Sequence, residues 1–240
     1  CIVSVTAVSN VTGVITPLAQ IAEMAHKAGA MLFVDAAQGA SHIPIDKTAM
    51  KIDFIAGSGH KMYAPGSPGW VIAKRSFFKG MGWNAGPIGG GSVERVELGR
   101  VWLKEDPSER YEAGTPNIPG AIGLGVVSRL LREIGMDKIL AHERELVSLC
   151  MDRVQRVEGA VVYGPLDASK KTSVVTFNIA DIPHGIVAAA LNDFFAIQTR
   201  NDCFCAQPYV RQQLHSACSV RGFCEPVHAG KTGMVRASFG

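Results

Sequence analysis

Three short apolar runs, spaced by turn residues and preceded by a segment with helical spacing, constrain this chain most. They are Met31-Leu32-Phe33-Val34, Ile52-Asp53-Phe54-Ile55-Ala56 and Gly69-Trp70-Val71-Ile72-Ala73. Runs this short and this apolar predict strands covered on both faces. Before the first, residues 17–28 place Leu18, Ile21, Ala22, Ala25 and Ala28 on one helical face, with Pro17 at the first turn and Gly29 as the stop. Strands alternating with helices predict a sheet layered with helices, an α/β architecture. In such sheets ligands collect beyond the carboxyl ends of the strands. Asp35 and Lys61 both fall there.

The rest of the chain continues in the same class. Residues 80–91 hold six glycines and one proline and read as a long loop of the kind that carries function. Glu112-Ala113-Gly114-Thr115-Pro116-Asn117 is a second turn-rich stretch. Residues 121–133 and 137–157 predict two helices broken at Gly135. Val161-Val162-Tyr163 and Ser173-Val174-Val175-Thr176-Phe177-Asn178 predict strands, and residues 184–194 a helix. The expected division is a large domain over residues 1–130 and a smaller C-terminal α/β domain over 131–240. Cys1-Ile2-Val3-Ser4-Val5 reads as a buried strand, and Val235-Arg236-Ala237-Ser238-Phe239-Gly240 as a strand ending in mid-domain. The chain is therefore expected to be a piece of a longer protein, incomplete at both ends.

Composition removes several function classes. At 47% hydrophobic and 19% charged residues, the chain has material for a core and too little charge for disorder. The net charge is +3, and no basic block extends beyond Lys170-Lys171, so neither nucleic acid nor a membrane surface is an expected partner. No apolar run approaches the roughly 20 residues that span a bilayer. The first residues lack the basic start and apolar stretch of a signal peptide. Six cysteines in 240 residues are not a disulfide framework, so reduced thiols and a cytoplasmic location are expected.

Asp35 ends one predicted strand, and Ser58-Gly59-His60-Lys61 follows the next. An acid and an amine so placed suit pyridoxal phosphate (PLP). The lysine forms a Schiff base with the cofactor aldehyde, and the carboxylate keeps the pyridine nitrogen protonated so that the ring accepts electrons. Hydroxyl, imidazole and backbone N–H groups around Lys61 are natural partners for phosphate oxygens. From spacing alone two other uses stand beside this one: a solvated surface lysine, and a strand-end acid capping a turn.

Longer motifs add to the spacing. Val34-Asp35-Ala36-Ala37-Gln38, His42 and Ser58-Gly59-His60-Lys61-Met62-Tyr63-Ala64-Pro65 resemble the PLP core of class V aminotransferases. The 112–117 stretch, Tyr163-Gly164-Pro165, Cys205-Ala206-Gln207-Pro208 and Val235-Arg236-Ala237-Ser238 resemble its branch of group II cysteine desulfurases and selenocysteine lyases. The resemblance runs over nearly the whole chain, in order. It implies a fold-type I PLP-dependent transferase, with a large, mainly parallel α/β domain and a smaller C-terminal one. By resemblance, Lys61 is the Schiff-base lysine, Asp35 pairs with the pyridine nitrogen, and Gln38 bonds the ring hydroxyl oxygen. Ser58 and His60 hold the phosphate. Thr115 reaches the phosphate of the partner subunit's cofactor, which implies a homodimer with shared sites. Asn10, Arg200 and Arg236 are the implied substrate-binding residues, with Arg236 clamping the carboxylate of an amino acid as a planar guanidinium can.

The same resemblance makes Cys205 the sulfur acceptor of a desulfurase, which converts L-cysteine to L-alanine and leaves an enzyme persulfide for an acceptor protein. Such a cysteine works as a thiolate, a form favoured beside cations and helix N-termini; residues 208–214 predict a helix there. One departure stands out. The branch carries Arg-Thr-Gly-His-His before this cysteine, whereas the chain has Arg200-Asn201-Asp202-Cys203-Phe204. Asp202 brings negative charge, which raises a neighbouring thiol pKa. A metal role for the Cys-x-Cys pair lacks a second ligand pair, and Cys203 as a resolving thiol is a further alternative. His215, Cys218, Cys224 and His228 lack compact ligand spacing, so no metal is expected. Other reactions on the same cofactor (transamination, epimerisation or another lysis) and a truncated, non-catalytic homologue remain the competing readings.

Overall fold

The computed structural model describes residues 1–80, 86–221 and 233–239. They form two units that interleave along the chain. The first comprises Cys1–Val5, Leu18–Ala37 and Asp46–Glu133; the second comprises Thr6–Pro17, Gln38–Ile45 and Ile134–Gly240.

The first unit is built on a sheet ordered β1-β2-β3-β4: β1 (Ile2–Thr6), β2 (Met31–Asp35), β3 (Phe54–Ser58) and β4 (Gly69–Ala73). Helix α1 (Leu18–Lys27) buries Leu18, Ala22 and Ala25, spaced to share one face, and packs on β2. Leu32 and Val34, on one face of β2, are fully buried. Asp53 joins the two elements: its Oδ2 accepts from the Leu32 amide at 2.7 Å and lies 2.8 Å from His26 Nε2. Phe54 centres an aromatic cluster, with ring centroids 6.2 Å from Phe33, 5.1 Å from Phe77 and 6.1 Å from Phe78. Each such pair adds about 0.5–1.5 kcal/mol beyond area burial.

β2 and β3 run parallel, whereas β4 returns antiparallel to β3. Length explains the reversal. Residues 59–68 are shorter than the roughly dozen residues that a parallel crossover needs. The expected first strand forms, but it is not buried on both faces: it lies at the edge of its sheet, with Ile2 49% exposed. Beyond β4 come α2 (Arg75–Gly80), a hairpin of β5 (Val93–Glu97) and β6 (Arg100–Leu103), α3 (Pro107–Arg110) and α4 (Ile118–Ile134). The hairpin was not expected. Arg95 and Arg100 sit over the Trp102 ring at 4.1 and 4.5 Å, clamping an indole that carries it.

In the second unit, α5 (Met136–Gln155) precedes β7 (Ala160–Tyr163), β8 (Val174–Ile179), α6 (His184–Phe195), β9 (Arg200–Asp202), α7 (Gln207–Arg221) and β10 (Met234–Ser238). The sheet order is β7-β8-β10-β9, and its neighbours are antiparallel. Val147 and Met151 of α5 pack with Val175, Phe177, Val187 and Val235 in one core cluster. One turn earlier on the same face, Glu143 is buried and bonded to His42 and Thr172. Among the described residues no helix is long and apolar enough to cross a membrane.

Candidate active site

The first unit gathers chemistry at one end of its sheet. Asp35 is the last residue of β2 and Ser58 the last of β3, and the register pairs Asp35 with Ala56 across the parallel ladder. A single 3-10 turn, Gly59–Met62, follows β3 at once and carries His60 and Lys61, both exposed. Asp35 is exposed, and its Oδ1 accepts from the Ala37 amide at 2.8 Å, an Asx turn at the end of β2. Ser58 precedes the 3-10 turn in extended geometry without spending its hydroxyl on a cap.

The Lys61 turn rests on a specific packing device. Gly57 of β3 stands opposite Trp70 of β4, and a Cβ on Gly57 would lie 2.2 Å from the indole ring. The missing side chain lets the indole lie flat across β3, where Nε1 donates to the Met62 sulfur at 3.4 Å. Tyr63 closes the turn at φ 64°, and the Gly59 amide bonds Pro68 O at 3.2 Å, so the loop is closed at its base.

Thr115 lies exposed in the turn before α4. That turn is held by the glycine-rich loop: the Gly114 amide donates to Gly90 O at 2.7 Å. Within the loop, fully buried Ser92 donates to Pro87 O at 2.7 Å, with Gly89 O also within reach at 3.0 Å, and accepts from the Gly89 amide at 3.2 Å. Residues 86–91 of the expected long loop are thus a bonded turn around one serine; residues 81–85 lie outside the described residues.

The second unit holds the other candidates. Gln38 is half-buried and opens the segment Gln38–Ile45. The neighbouring Gly39 lies so close to Ala7 that a Cβ would stand 2.9 Å from the alanine Cβ. Asn10 sits in a tight turn in which Ser9 Oγ accepts from the amides of Val11 and Thr12 at 3.3 and 3.2 Å. Its carboxamide donates to Phe204 O at 2.8 Å, and its carbonyl accepts from Arg236 NH1 at 2.7 Å. The Arg236 guanidinium lies 5.1 Å from the Phe204 ring centroid. Arg200 of β9 is the register partner of Arg236 on β10. Burial, and then the like charge of Arg200, hold the Arg236 guanidinium below its ordinary pKa. Among the described residues neither arginine forms an ion pair, and the buried Arg236 Nε has no hydrogen-bond partner. Two cations side by side and an unused N–H suit a carboxylate.

Cys205 is exposed, two residues before α7. Its loop has an unusual backbone, with Asp202, Phe204 and Cys205 at φ 89°, 52° and 61°. Such conformations cost roughly 1–3 kcal/mol each and persist where surroundings hold them. Here Asn10 and Arg236 grip Phe204 from both carbonyl and ring. Cys203 differs from Cys205 in every respect: it is 5% exposed and packs with Val11, Tyr163, Phe204, Val210 and Met234. Burial first, and Asp202 next, raise the Cys203 thiol pKa. Among the described residues no group of three or more His, Cys, Asp or Glu can hold a metal. Cys224 and His228 lie outside the described residues, and His215 and Cys218 are described only as positions on α7.

Three contributors had no role in the sequence reading. The Gly57–Trp70 pair carries a signal, a glycine inside a strand pattern, that marks close approach. Glu143 falls four residues before Val147 on the apolar stripe of α5, and an acid on such a stripe signals a buried pair. Phe204 gives no such signal, because its contacts come from residues far away in sequence.

The sequence matches the family described as aminotransferase class-V over residues 1–240. This chain belongs to the class-V aminotransferase family, a family of PLP-dependent enzymes of the fold-type I architecture. A relative named probable cysteine desulfurase, from Halalkalibacterium halodurans, is 42% identical over 211 residues, which are 88% of this chain and 50% of the relative. The apo structure of cysteine desulfurase from Thermococcus onnurineus NA1 superposes with a TM-score of 0.81 at 35% identity, covering 99% of this chain and 55% of that one. The structure of the cysteine desulfurase CsdA (S-sulfonic acid) from Escherichia coli gives 0.82 at 30% identity, covering 99% and 54%. The chain thus spans about half the length of the proteins it matches.

Proposed function

We propose that this protein acts as a PLP-dependent cysteine desulfurase, taking sulfur from L-cysteine onto Cys205. The observation that carries the proposal is the Asn10–Phe204–Arg236 brace. It ties the guanidinium suited to an amino-acid carboxylate to the loop that presents an exposed thiol. The desulfurase names of the relatives point the same way.

The chemistry of the candidate residues fits the cofactor. Lys61 would anchor it through its amine, Asp35 would keep the pyridine nitrogen protonated, and Ser58 and His60 would hold the phosphate, with Gln38 on the ring hydroxyl oxygen. Thr115 would serve the cofactor of a partner subunit in a homodimer with shared sites. When bound, PLP supplies an electron sink for the bonds of the substrate α-carbon. Arg236 and Arg200 would orient the substrate carboxylate, with Asn10 fixing Arg236. At Cys205 the substrate C–S bond breaks, an S–S bond forms, and a proton is delivered to the substrate carbon. Cys205–SH and L-cysteine become Cys205–S–SH and L-alanine, balanced without an external oxidant. A cytoplasmic acceptor protein would then receive the sulfur.

The test follows amino-acid products in protein supplied with PLP. Cys205→Ala should stop alanine formation from cysteine, and Lys61→Ala should abolish the visible chromophore. Full turnover in Cys205→Ala would refute sulfur transfer through this thiol. A protein that cannot be loaded with PLP would refute the cofactor reading and favour a non-catalytic homologue.

A further inference from the structure

Asn117 is the cap of α4, the residue just before Ile118, and its carbonyl accepts the first helical bond from Ala121 at 2.9 Å. Its side chain makes two further bonds in different directions. Oδ1 accepts from the Gly120 amide at 3.0 Å, closing the first turn of the helix. Nδ2 donates at 2.6 Å to the carbonyl of Gly66, which lies in the loop after Lys61. The two partners fix the amide orientation, since a carbonyl can only accept and a backbone N–H can only donate. Gly120 makes the approach possible: a Cβ there would stand 2.7 Å from Gly66 O and 2.6 Å from Asn117 Nδ2. Gly66 itself takes φ +74°, turning the loop at this point.

We propose that Asn117 is a positioning residue that straps the Lys61 loop to the turn carrying Thr115. The inference rests on the PLP reading of Lys61 and Thr115 and adds how their loops are held in register. Residues 59–68 close on themselves through Gly59 N to Pro68 O, Ala64 N to Gly59 O and Ser67 N to Ala64 O. None of those bonds fixes the outer bend at Gly66 to the body of the unit; the Asn117 amide does. Thr115 stands two residues before the same asparagine, so one side chain sets both loops against the start of α4.

The experiment separates strap from cap. Asn117→Ser keeps a capping oxygen but cannot reach Gly66, Asn117→Ala loses both, and Gly120→Ala wedges the strap apart with Asn117 in place. Hydrogen exchange is read on the full chain without PLP, and PLP affinity by absorbance titration. In Asn117→Ser and Gly120→Ala, amides of residues 62–67 should exchange roughly tenfold faster while those of α4 hold. PLP should bind roughly tenfold more weakly, the worth of one well-formed hydrogen bond. Unchanged exchange at residues 62–67 in both variants overturns the strap. Faster exchange with unchanged PLP affinity overturns the positioning role. If wild-type protein takes up no PLP, that role falls together with the cofactor reading, while the exchange arm still reports on the strap.

Discussion

His42 Nδ1 and Glu143 Oε1 stand 2.6 Å apart with both side chains buried, across 101 positions of sequence. The other carboxylate oxygen accepts from Thr172 Oγ1 at 2.5 Å, and the Thr172 amide donates to Gly13 O at 3.0 Å. One acid of α5 thereby ties down the segment that opens with Gln38 and, through Thr172, the turn that holds Asn10. Both segments carry candidate site residues, so the stability of this buried chain sets the geometry of the site within the second unit.

Removing Glu143 strands two buried polar partners. Glu143→Ala should lower the unfolding free energy by roughly 3–5 kcal/mol, whereas Glu143→Gln, which keeps the shape and part of the bonding, should cost about 1–2 kcal/mol. Urea unfolding of the three proteins measures this. A wild-type midpoint in Glu143→Ala would contradict the role given to the pair.

Lys171 predicts a pH dependence of stability. It is fully buried, and among the described residues its Nζ finds only Tyr163 O at 3.4 Å and the Met151 sulfur at 3.7 Å. Burial lowers its pKa from 10.5 to about 8, opposed weakly by Cys150. Below pH 8 folded and unfolded chains both carry the proton, and the burial penalty is fully present. Between pH 8 and 10.5 only the unfolded chain still carries it, so this group adds stability as pH rises, about 3 kcal/mol over the window. Lys171→Met should therefore be more stable than wild type at pH 7, with the gap closing toward pH 10.5. A gap that stays constant with pH would contradict this.

Gly57→Ala should disturb the Lys61 turn without touching it. The added methyl displaces the Trp70 indole and with it the contact to Met62. Overpacking of this kind costs roughly 1–3 kcal/mol. Hydrogen exchange of the 59–68 loop should quicken alongside the fall in stability, and an unchanged loop would show that the indole does not support it.

The two neighbouring cysteines should separate cleanly. Cys203→Ser places a hydroxyl in an apolar cluster and should cost roughly 1–3 kcal/mol of stability while leaving Cys205 able to take sulfur. Cys205→Ser should leave stability within about 0.5 kcal/mol, since the thiol is exposed, and end sulfur transfer. Alanine production and thermal unfolding of both variants decide the matter; loss of activity in Cys203→Ser with intact folding would give the buried thiol a chemical role.

Local periodicity made most of this fold readable. Runs at 31–34 and 69–73 became β2 and β4, and the helical stripe at 17–28 became α1. The apolar run at 52–56 became β3 two residues later, because Asp53 is drawn off to bond α1 and β2. The β5–β6 hairpin escaped because a bulge between Val93 and Arg95 breaks the two-residue alternation of β5: Val93 and Val96, three apart, meet Leu103 and Val101 across the ladder. The interleaving of the units escaped for a different reason. Asn10 with Phe204, and His42 with Glu143, are contacts of high sequence separation, which periodicity cannot express. Candidate residues within one loop, such as Ser58, His60 and Lys61, can be picked out together from sequence; the Asn10–Phe204–Arg236 brace cannot.

In the proposed function, an exposed Cys205 receives sulfur at a PLP site anchored by Lys61. Mass analysis of the peptide bearing Cys205, after PLP-loaded protein meets one equivalent of L-cysteine, tests it most directly. Cys205 should carry one added sulfur atom, matched by alanine and missing in Lys61→Ala. Alanine formed with no sulfur on Cys205, or with the sulfur on Cys203, would contradict it.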